Sequence, residues 1–181
     1  MNQLVVVAGR ELVVIARVNS PTGLNGGIKI TPIFFSPSEL NGLVAQYSDD
    51  IYFLKNKKFP KKVMINKVSA AQKDIKVELD GVCSRSQADD FSSALVACST
   101  TSYYKYLNDT KSVFRYIGYM VRDINLGDVG LVEEITRQGQ ILFYLRSLDG
   151  RQVLVPFVDS FLKKLDDKNK IILMDLPEGL V

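Results

Sequence analysis

Apolar residues in this chain come in short runs, and nearly every run stops at a cluster of turn-forming residues. Val13 to Val18 is followed by Asn19 to Gly27, rich in Asn, Ser, Pro and Gly, before Ile28, Ile30 and Pro32 open a second extended piece. Ile51 to Leu54, Val63 to Ile65, Ile75 to Leu79 and Leu95 to Cys98 read the same way, with Ile75, Val77 and Leu79 sharing one face of a strand. One stretch breaks the pattern. Ser84 can cap a helix over Ser84 to Ser93 whose apolar side holds Ala88 and Phe91. Many short strands with almost no helix predict a closed or nearly closed β-barrel for residues 1–98.

From Ser99 to Ser112 the sequence becomes STTSYYKYLNDTKS, where the apolar periodicity lapses, and residues 99–112 read as a linker. Strand signals resume in residues 113–181. Phe114 to Val121, Gly130 to Ile135 and Ile141 to Leu145 are separated by turns at Asn125-Leu126-Gly127 and Arg137-Gln138-Gly139, and Asp149-Gly150 leads into a further strand. The whole chain is therefore predicted to be all-β, as two small barrels.

The chain contains no histidine, which removes Ser-His and Cys-His nucleophile pairs and His-ligated metals together. Its two cysteines, Cys83 and Cys98, match no metal-ligand or redox spacing, and a reducing compartment fits them. Adjacent carboxylates such as Asp49-Asp50, Asp89-Asp90, Glu133-Glu134 and Asp166-Asp167 point in different directions on any regular element and read as solvated surface. An enzyme is not indicated, and no cofactor or metal is expected. The early apolar runs Leu4 to Ala8 and Leu12 to Ala16 are far shorter than the roughly 20 residues of a membrane span, and no secretory pattern precedes them. The expectation is a cytoplasmic protein that does not engage a membrane.

Charge is unevenly placed. Residues 1–100 carry 12 Lys and Arg against 9 Asp and Glu, whereas residues 101–181 carry 11 of each. The excess is densest at Lys55, Lys57, Lys58, Lys61, Lys62 and Lys67, next to Tyr52 and Phe53. Such a cationic loop can bind phosphates by releasing condensed counterions, or it can be a solvated hairpin kept soluble by lysine.

The end of the chain holds its most specific sequence. In QVLVPFVDSFLKKLDDKNKIILMDLPEGLV, residues 153–158 form a strand apolar on both faces, in which Pro156 calls for an edge or a bulge because it cannot donate to a ladder. Asp159 or Ser160 can cap one helical turn carrying Phe161, Leu162 and Leu165, after which Ile171 to Leu176 reads as a strand and Pro177-Glu178-Gly179 as a turn. Val155-Pro156-Phe157-Val158 and Pro177-Glu178-Gly179-Leu180 resemble the C-terminus of the RimM family of ribosome maturation factors, also called 16S rRNA processing proteins. Leu126-Gly127-Asp128-Val129 is similar to its Leu-Gly-x-Val turn, and Gly81 to Ala88 to its Gly-Val-x-x-Arg-x-x-Ala helix. Near the start, Ala16-Arg17-Val18 and the Gly23, Gly26 and Gly27 stretch resemble the family's Gly-Arg-Ile and His-Gly-Leu-Lys-Gly patterns, with Ala16, Thr22 and Asn25 departing from it. No Gly-Lys-Ser/Thr follows those glycines, so they read as a structural turn rather than a phosphate loop.

The resemblance implies an N-terminal six-stranded barrel similar to a translation-factor barrel, followed by a PRC-type barrel. It implies a monomeric, non-catalytic factor that assists maturation of the 30S head by binding the nineteenth small-subunit ribosomal protein and 16S rRNA nearby. The other reading is a general RNA-binding barrel protein outside assembly. The family's Tyr-Tyr pair, implicated in binding that ribosomal protein, aligns with Lys111-Ser112 here. Tyr103, Tyr104, Phe114 and Tyr116 are the aromatic candidates for this contact, with Pro156 and Phe157 in the matched tail. The linker tyrosines are favoured, because a polar segment offers their rings no evident core, whereas Phe114 and Tyr116 fit either core or interface.

Overall fold

A computed structural model describes residues 4–55 and 59–181. The chain divides into two compact units, Asn2–Tyr106 and Leu107–Val181.

The first unit is organised by one long strand. In β2 (Arg10–Thr22) every residue from Leu12 to Ala16 is buried, so this strand has apolar neighbours on both faces. It pairs with β1 (Leu4–Val7), β3 (Gly27–Pro32) and β8 (Leu95–Ser99), all antiparallel. The remaining strands are β4 (Ile51–Lys55), β5 (Phe59–Lys62), β6 (Ile65–Ala70) and β7 (Ile75–Leu79), giving the order β5-β4-β8-β2-β3-β7-β6. Register slips between Val14 and Ala16 and between Val18 and Ser20 insert bulges that bend β2 and curl the sheet. Val14, Ala97 and Tyr52 stand opposite one another across β2, β8 and β4, and with Leu12 and Leu54 they make an apolar cluster flanked by Val5 and Leu95. Their chain neighbours Val13, Cys98 and Ile51 align on the other face, where they are at most 2% exposed.

The expectation of almost no helix is corrected here. Ser36-Pro37-Ser38-Glu39 caps α1 (Pro37–Gln46): the Glu39 amide donates to Ser36 Oγ at 3.2 Å and the Ser36 amide donates to Glu39 Oε2 at 2.9 Å. Leu40, Leu43 and Val44 bury its apolar stripe, and the helix packs on β6. The helix read at Ser84 is present but shorter, as α2 (Arg85–Asp89), with Ser84 and Gln87 forming its capping box. In place of an irregular linker, residues 100–109 form α3 (Thr100–Asp109). Tyr103, Tyr106 and Leu107 are buried at the i, i+3, i+4 spacing of a helical stripe, a periodicity hidden when tyrosine is counted as polar. At its start Ser99 Oγ accepts from the Ser102 amide, and the Ser99 and Ser102 hydroxyls donate to Asp50 at 2.5 and 2.6 Å.

The second unit is a six-stranded sheet in the order β12-β11-β10-β9-β14-β13. Its strands are β9 (Met120–Asp123), β10 (Gly127–Gln138), β11 (Gln140–Arg146), β12 (Gln152–Pro156), β13 (Leu162–Asp166) and β14 (Ile171–Met174). Only the β9–β14 pair is parallel. The turn glycines read from sequence sit where positive φ is needed, Gly139 at +86° and Gly150 at +85°. Two expectations change. Phe114 to Val121 is not one strand, because Val113–Tyr116 is a 3-10 turn that precedes β9. A single turn does follow Val158, whose carbonyl accepts from the Phe161 and Leu162 amides, but Leu162 and Leu165 belong to β13, which pairs with β14 from Leu162↔Met174 to Asp166↔Ile171 with one register shift. Pro156 closes β12, an edge strand that tolerates a missing donor.

Asp123 fixes the β9–β10 turn. It is 2% exposed and accepts from the amides of Asn125, Leu126 and Leu176 at 2.8 to 2.9 Å. Burial alone would raise its pKa, but these backbone donors outweigh burial and hold the carboxyl below the usual carboxylate range.

Candidate functional site

The candidate residues fall on two surfaces, one in each unit. In the second unit Tyr116, Tyr119, Phe143 and Phe157 form a continuous aromatic cluster, with Phe143 and Phe157 stacked at 4.6 Å and Tyr116 lying 5.5 Å from Phe157. Tyr116 and Tyr119 are buried, whereas Pro156 and Phe157 are half-buried at its margin. Arg115 lies 5.0 Å over the Tyr116 ring and pairs with Asp167 through both carboxylate oxygens, at 3.2 and 3.1 Å. Burial works against the charge on Arg115, but the Tyr116 hydroxyl and Asp167 more than restore it. Tyr119 also donates to Asp167, and burial raises its pKa. The sequence singles out neither Arg115 nor Tyr119 and marks Asp167 only as solvated surface, since no local pattern links Asp167 to residues so far upstream.

Phe114 is 2% exposed with Arg137 lying 5.3 Å over its ring, so it packs inside the unit. Tyr103 is 1% exposed and sits 5.9 Å from Phe35, whereas Tyr104 on the same helix is 51% exposed. The idea that the linker gives these rings no core is therefore corrected for Tyr103. Of the four aromatic candidates, Tyr104 alone presents an open ring.

The lysine hairpin divides between two faces. Lys62 stands opposite Tyr52 on β4, and Lys61 stands opposite Phe53. Alternation along a strand therefore sends the two side chains to opposite sides of the sheet. Lys61 Nζ lies 4.8 Å from the Phe91 ring, and Lys55 Nζ donates to the Asp90 carbonyl at 2.8 Å. Lys62 Nζ and the Arg10 guanidinium lie 6.0 and 5.8 Å from the Tyr52 ring. Lys67 is exposed on β6, and Lys57 and Lys58 lie outside the described residues.

Gly23 and Gly26 lie in the β2–β3 connection, and Gly27 opens β3. Gly23 and Gly26 have φ of +72° and +77°, and a Cβ on Gly26 would collide with the Val82 carbonyl, so the turn sits directly on the loop before α2. The Cys98 thiol is pushed up to about 12 by burial and by Asp50, which keeps it protonated and unreactive. Among the described residues no helix is long and apolar enough to cross a membrane.

Comparison with known proteins adds the missing context. Residues 113–180 match the family model of the RimM PRC barrel domain. The ribosome maturation factor RimM of Caldanaerobacter subterraneus subsp. tengcongensis is 26% identical over 167 residues, spanning 92% of this chain and 96% of that protein. Over nearly its whole length the chain is similar to ribosome maturation factors of the RimM family. The RimM of Christiangramia forsetii is 29% identical over 147 residues, covering 80% of this chain and 78% of its own. The solution structure of the N-terminal domain of RimM from Thermus thermophilus covers 50% of this chain and 92% of its own, at 19% identity and a TM-score of 0.39. In family terms, the aromatic cluster with Pro156 and Phe157 lies inside the PRC barrel, and the lysine hairpin lies in the unit before it.

Proposed function

We propose that this protein is a ribosome maturation factor that acts in 16S rRNA processing as an assembly chaperone rather than as a catalyst. The observation that carries the reading is likeness over nearly full length, 92% of this chain and 96% of the relative, to a protein named for that role. In this reading the factor works in the cytoplasm as a monomer and associates with the 30S particle. Its PRC barrel binds the nineteenth small-subunit ribosomal protein, and its first unit contacts 16S rRNA in the head. Binding a near-mature head more tightly than its misfolded alternatives shifts the population toward it, and a lower affinity for the finished head releases the factor.

Two features favour this division of labour. The first unit carries the excess positive charge, which suits phosphate, while the second holds 10 Lys and Arg against 11 Asp and Glu and presents Phe157 and Pro156 at the edge of an aromatic cluster. Phe157 of the PRC barrel is the aromatic anchor proposed for the protein partner, and Tyr104, an open ring on the helix that ends the first unit, is a separate candidate outside the barrel. Sedimentation of cell extracts tests the reading: the factor should travel with free small subunits and be absent from translating ribosomes. Equal association with both would favour a general RNA-binding barrel protein. In calorimetry with the purified ribosomal protein, the Tyr104→Ala/Phe157→Ala double variant should bind at least tenfold more weakly; unchanged binding would remove these anchors.

A further inference from the structure

Two cations in the first unit share one aromatic ring. Arg10, at the start of β2, donates from Nη1 to the Tyr52 hydroxyl at 3.0 Å and holds its guanidinium 5.8 Å from the ring centre. Lys62, on β5, brings its ammonium to 6.0 Å from the same centre. The ring beneath them is 5% exposed, while the Arg10 and Lys62 residues themselves are exposed. Neither cation makes an ion pair with a carboxylate among the described residues. Asp50, which Tyr52 also bonds, stays ionised and is held by hydroxyls rather than by either cation. Burial would raise the pKa of Asp50, but the hydroxyls of Ser102 and Ser99 donate to it and, with Tyr52, hold it below the usual carboxylate range.

Arg10 is fixed at one end by Tyr52, and Tyr52 is fixed by the apolar cluster in which it is buried. Arg10 is thus pre-positioned at the surface, and less of its side-chain freedom is given up when a ligand arrives. Two like charges gathered over a quadrupole that tolerates but does not neutralise them leave a local positive potential. We propose that the Arg10–Tyr52–Lys62 group is a seat for phosphates of an RNA backbone, and that it, rather than the Lys55–Lys61 side of the hairpin, supplies the salt-dependent contact of the first unit. On that second side Lys55 is already bonded to the Asp90 carbonyl and Lys61 lies alone over Phe91, so no two cations share a ring there. The buried ring cannot stack on a base, so the seat reads charge and not sequence. This inference rests on the RNA-contact reading above and assigns its residues.

The test is binding of the full-length protein to a 16S rRNA transcript from about 50 to 200 mM salt, followed by fluorescence anisotropy. The Arg10→Gln/Lys62→Gln variant should flatten the slope of log affinity against log salt by about 0.7 to 0.9 for each phosphate no longer held. Arg10→Lys, which keeps the charge, should retain most of the slope, and circular dichroism should confirm that each variant is folded. The Lys55→Gln/Lys61→Gln variant is the matched control for net charge and should leave the slope nearly unchanged. A slope flattened only in the Lys55/Lys61 variant would overturn the seat and keep the RNA reading; equal flattening in both would show a general charge effect with no seat. An unchanged slope in both would remove RNA binding by this hairpin altogether. Competition by poly-glutamate that disappears in the Arg10/Lys62 variant, with RNA binding unchanged, would assign the seat to an acidic protein segment and overturn the proposal.

Discussion

The two units differ in where most of their cations rest, although Lys76 pairs with Glu78 in the first and Arg115 and Arg137 also lie over rings in the second. The second unit closes its charges on one another: Arg115 with Asp167, Arg122 with Asp128, Arg146 with Glu133, Arg151 with Asp149 and Lys163 with Asp175. In the first unit Arg10, Lys61 and Lys62 lie over aromatic rings instead of carboxylates. An internally paired surface offers little to a polyanion, and docking it depends on shape and apolar contact. Cations resting on rings keep their charge available, and their natural complement is phosphate. On the proposed reading, a single chain thereby separates a surface for RNA from a surface for protein.

Substitutions within each unit sharpen this contrast. The largest effect is expected inside α3, where Tyr103→Ala should destabilise the fold by about 3 kcal/mol or more, as removal of a fully buried aromatic does. Tyr104→Ala, at the adjacent exposed position, should change stability by no more than about 0.5 kcal/mol. Denaturant unfolding of the two variants measures the difference, and equal losses would mean that Tyr104 is also a core residue.

Next comes Asp123, the one carboxylate that organises the second unit from inside. Asp123→Ala leaves three backbone amides without their acceptor and should cost about 2 to 3 kcal/mol, read by thermal unfolding. Its folded pKa is depressed, so its contribution is fully present above the unfolded value of about 3.9 and is lost as pH falls through the lower folded value. Wild-type stability should therefore decline below about pH 4, and Asp123→Asn should lose that part of the acid dependence. Identical acid profiles for the two proteins would rule out Asp123 as a source of the slope.

The smallest effect tests the paired surface. Arg146→Gln, which breaks an exposed pair with Glu133, should alter stability by about 0.5 kcal/mol or less and leave the salt slope for RNA unchanged. A flattened slope here would erase the distinction between the units, because charges of the second would then be in contact with RNA.

Much of the architecture was legible because strands and turns announce themselves locally. Period-two runs such as Ile75-Lys76-Val77-Glu78-Leu79, the capping serine at Ser84, the turn glycines and the edge proline Pro156 each follow from backbone sterics or a missing donor. The Ser36-Pro37-Ser38-Glu39 cap was equally local and would have found α1. Helix α3 was harder, since its stripe is built mostly from tyrosines, whose rings are apolar enough to bury and whose hydroxyls make them look polar. The tail motifs pointed to the family from sequence alone.

What tertiary structure alone decided is which member of each candidate group is open. Tyr103 and Tyr104 are neighbours in sequence, yet a helical turn places one against Phe35 and the other toward solvent. Lys61 and Lys62 are likewise adjacent, and the pleat of β5 sends them to opposite faces, one to Phe91 and the other to the ring it shares with Arg10. Arg10 and Tyr52, 42 residues apart, meet because β8 pairs with both β2 and β4. Local chemistry determines which elements form, whereas exposure and the meeting of distant charges depend on the packing of the whole sheet, which no short window of sequence contains.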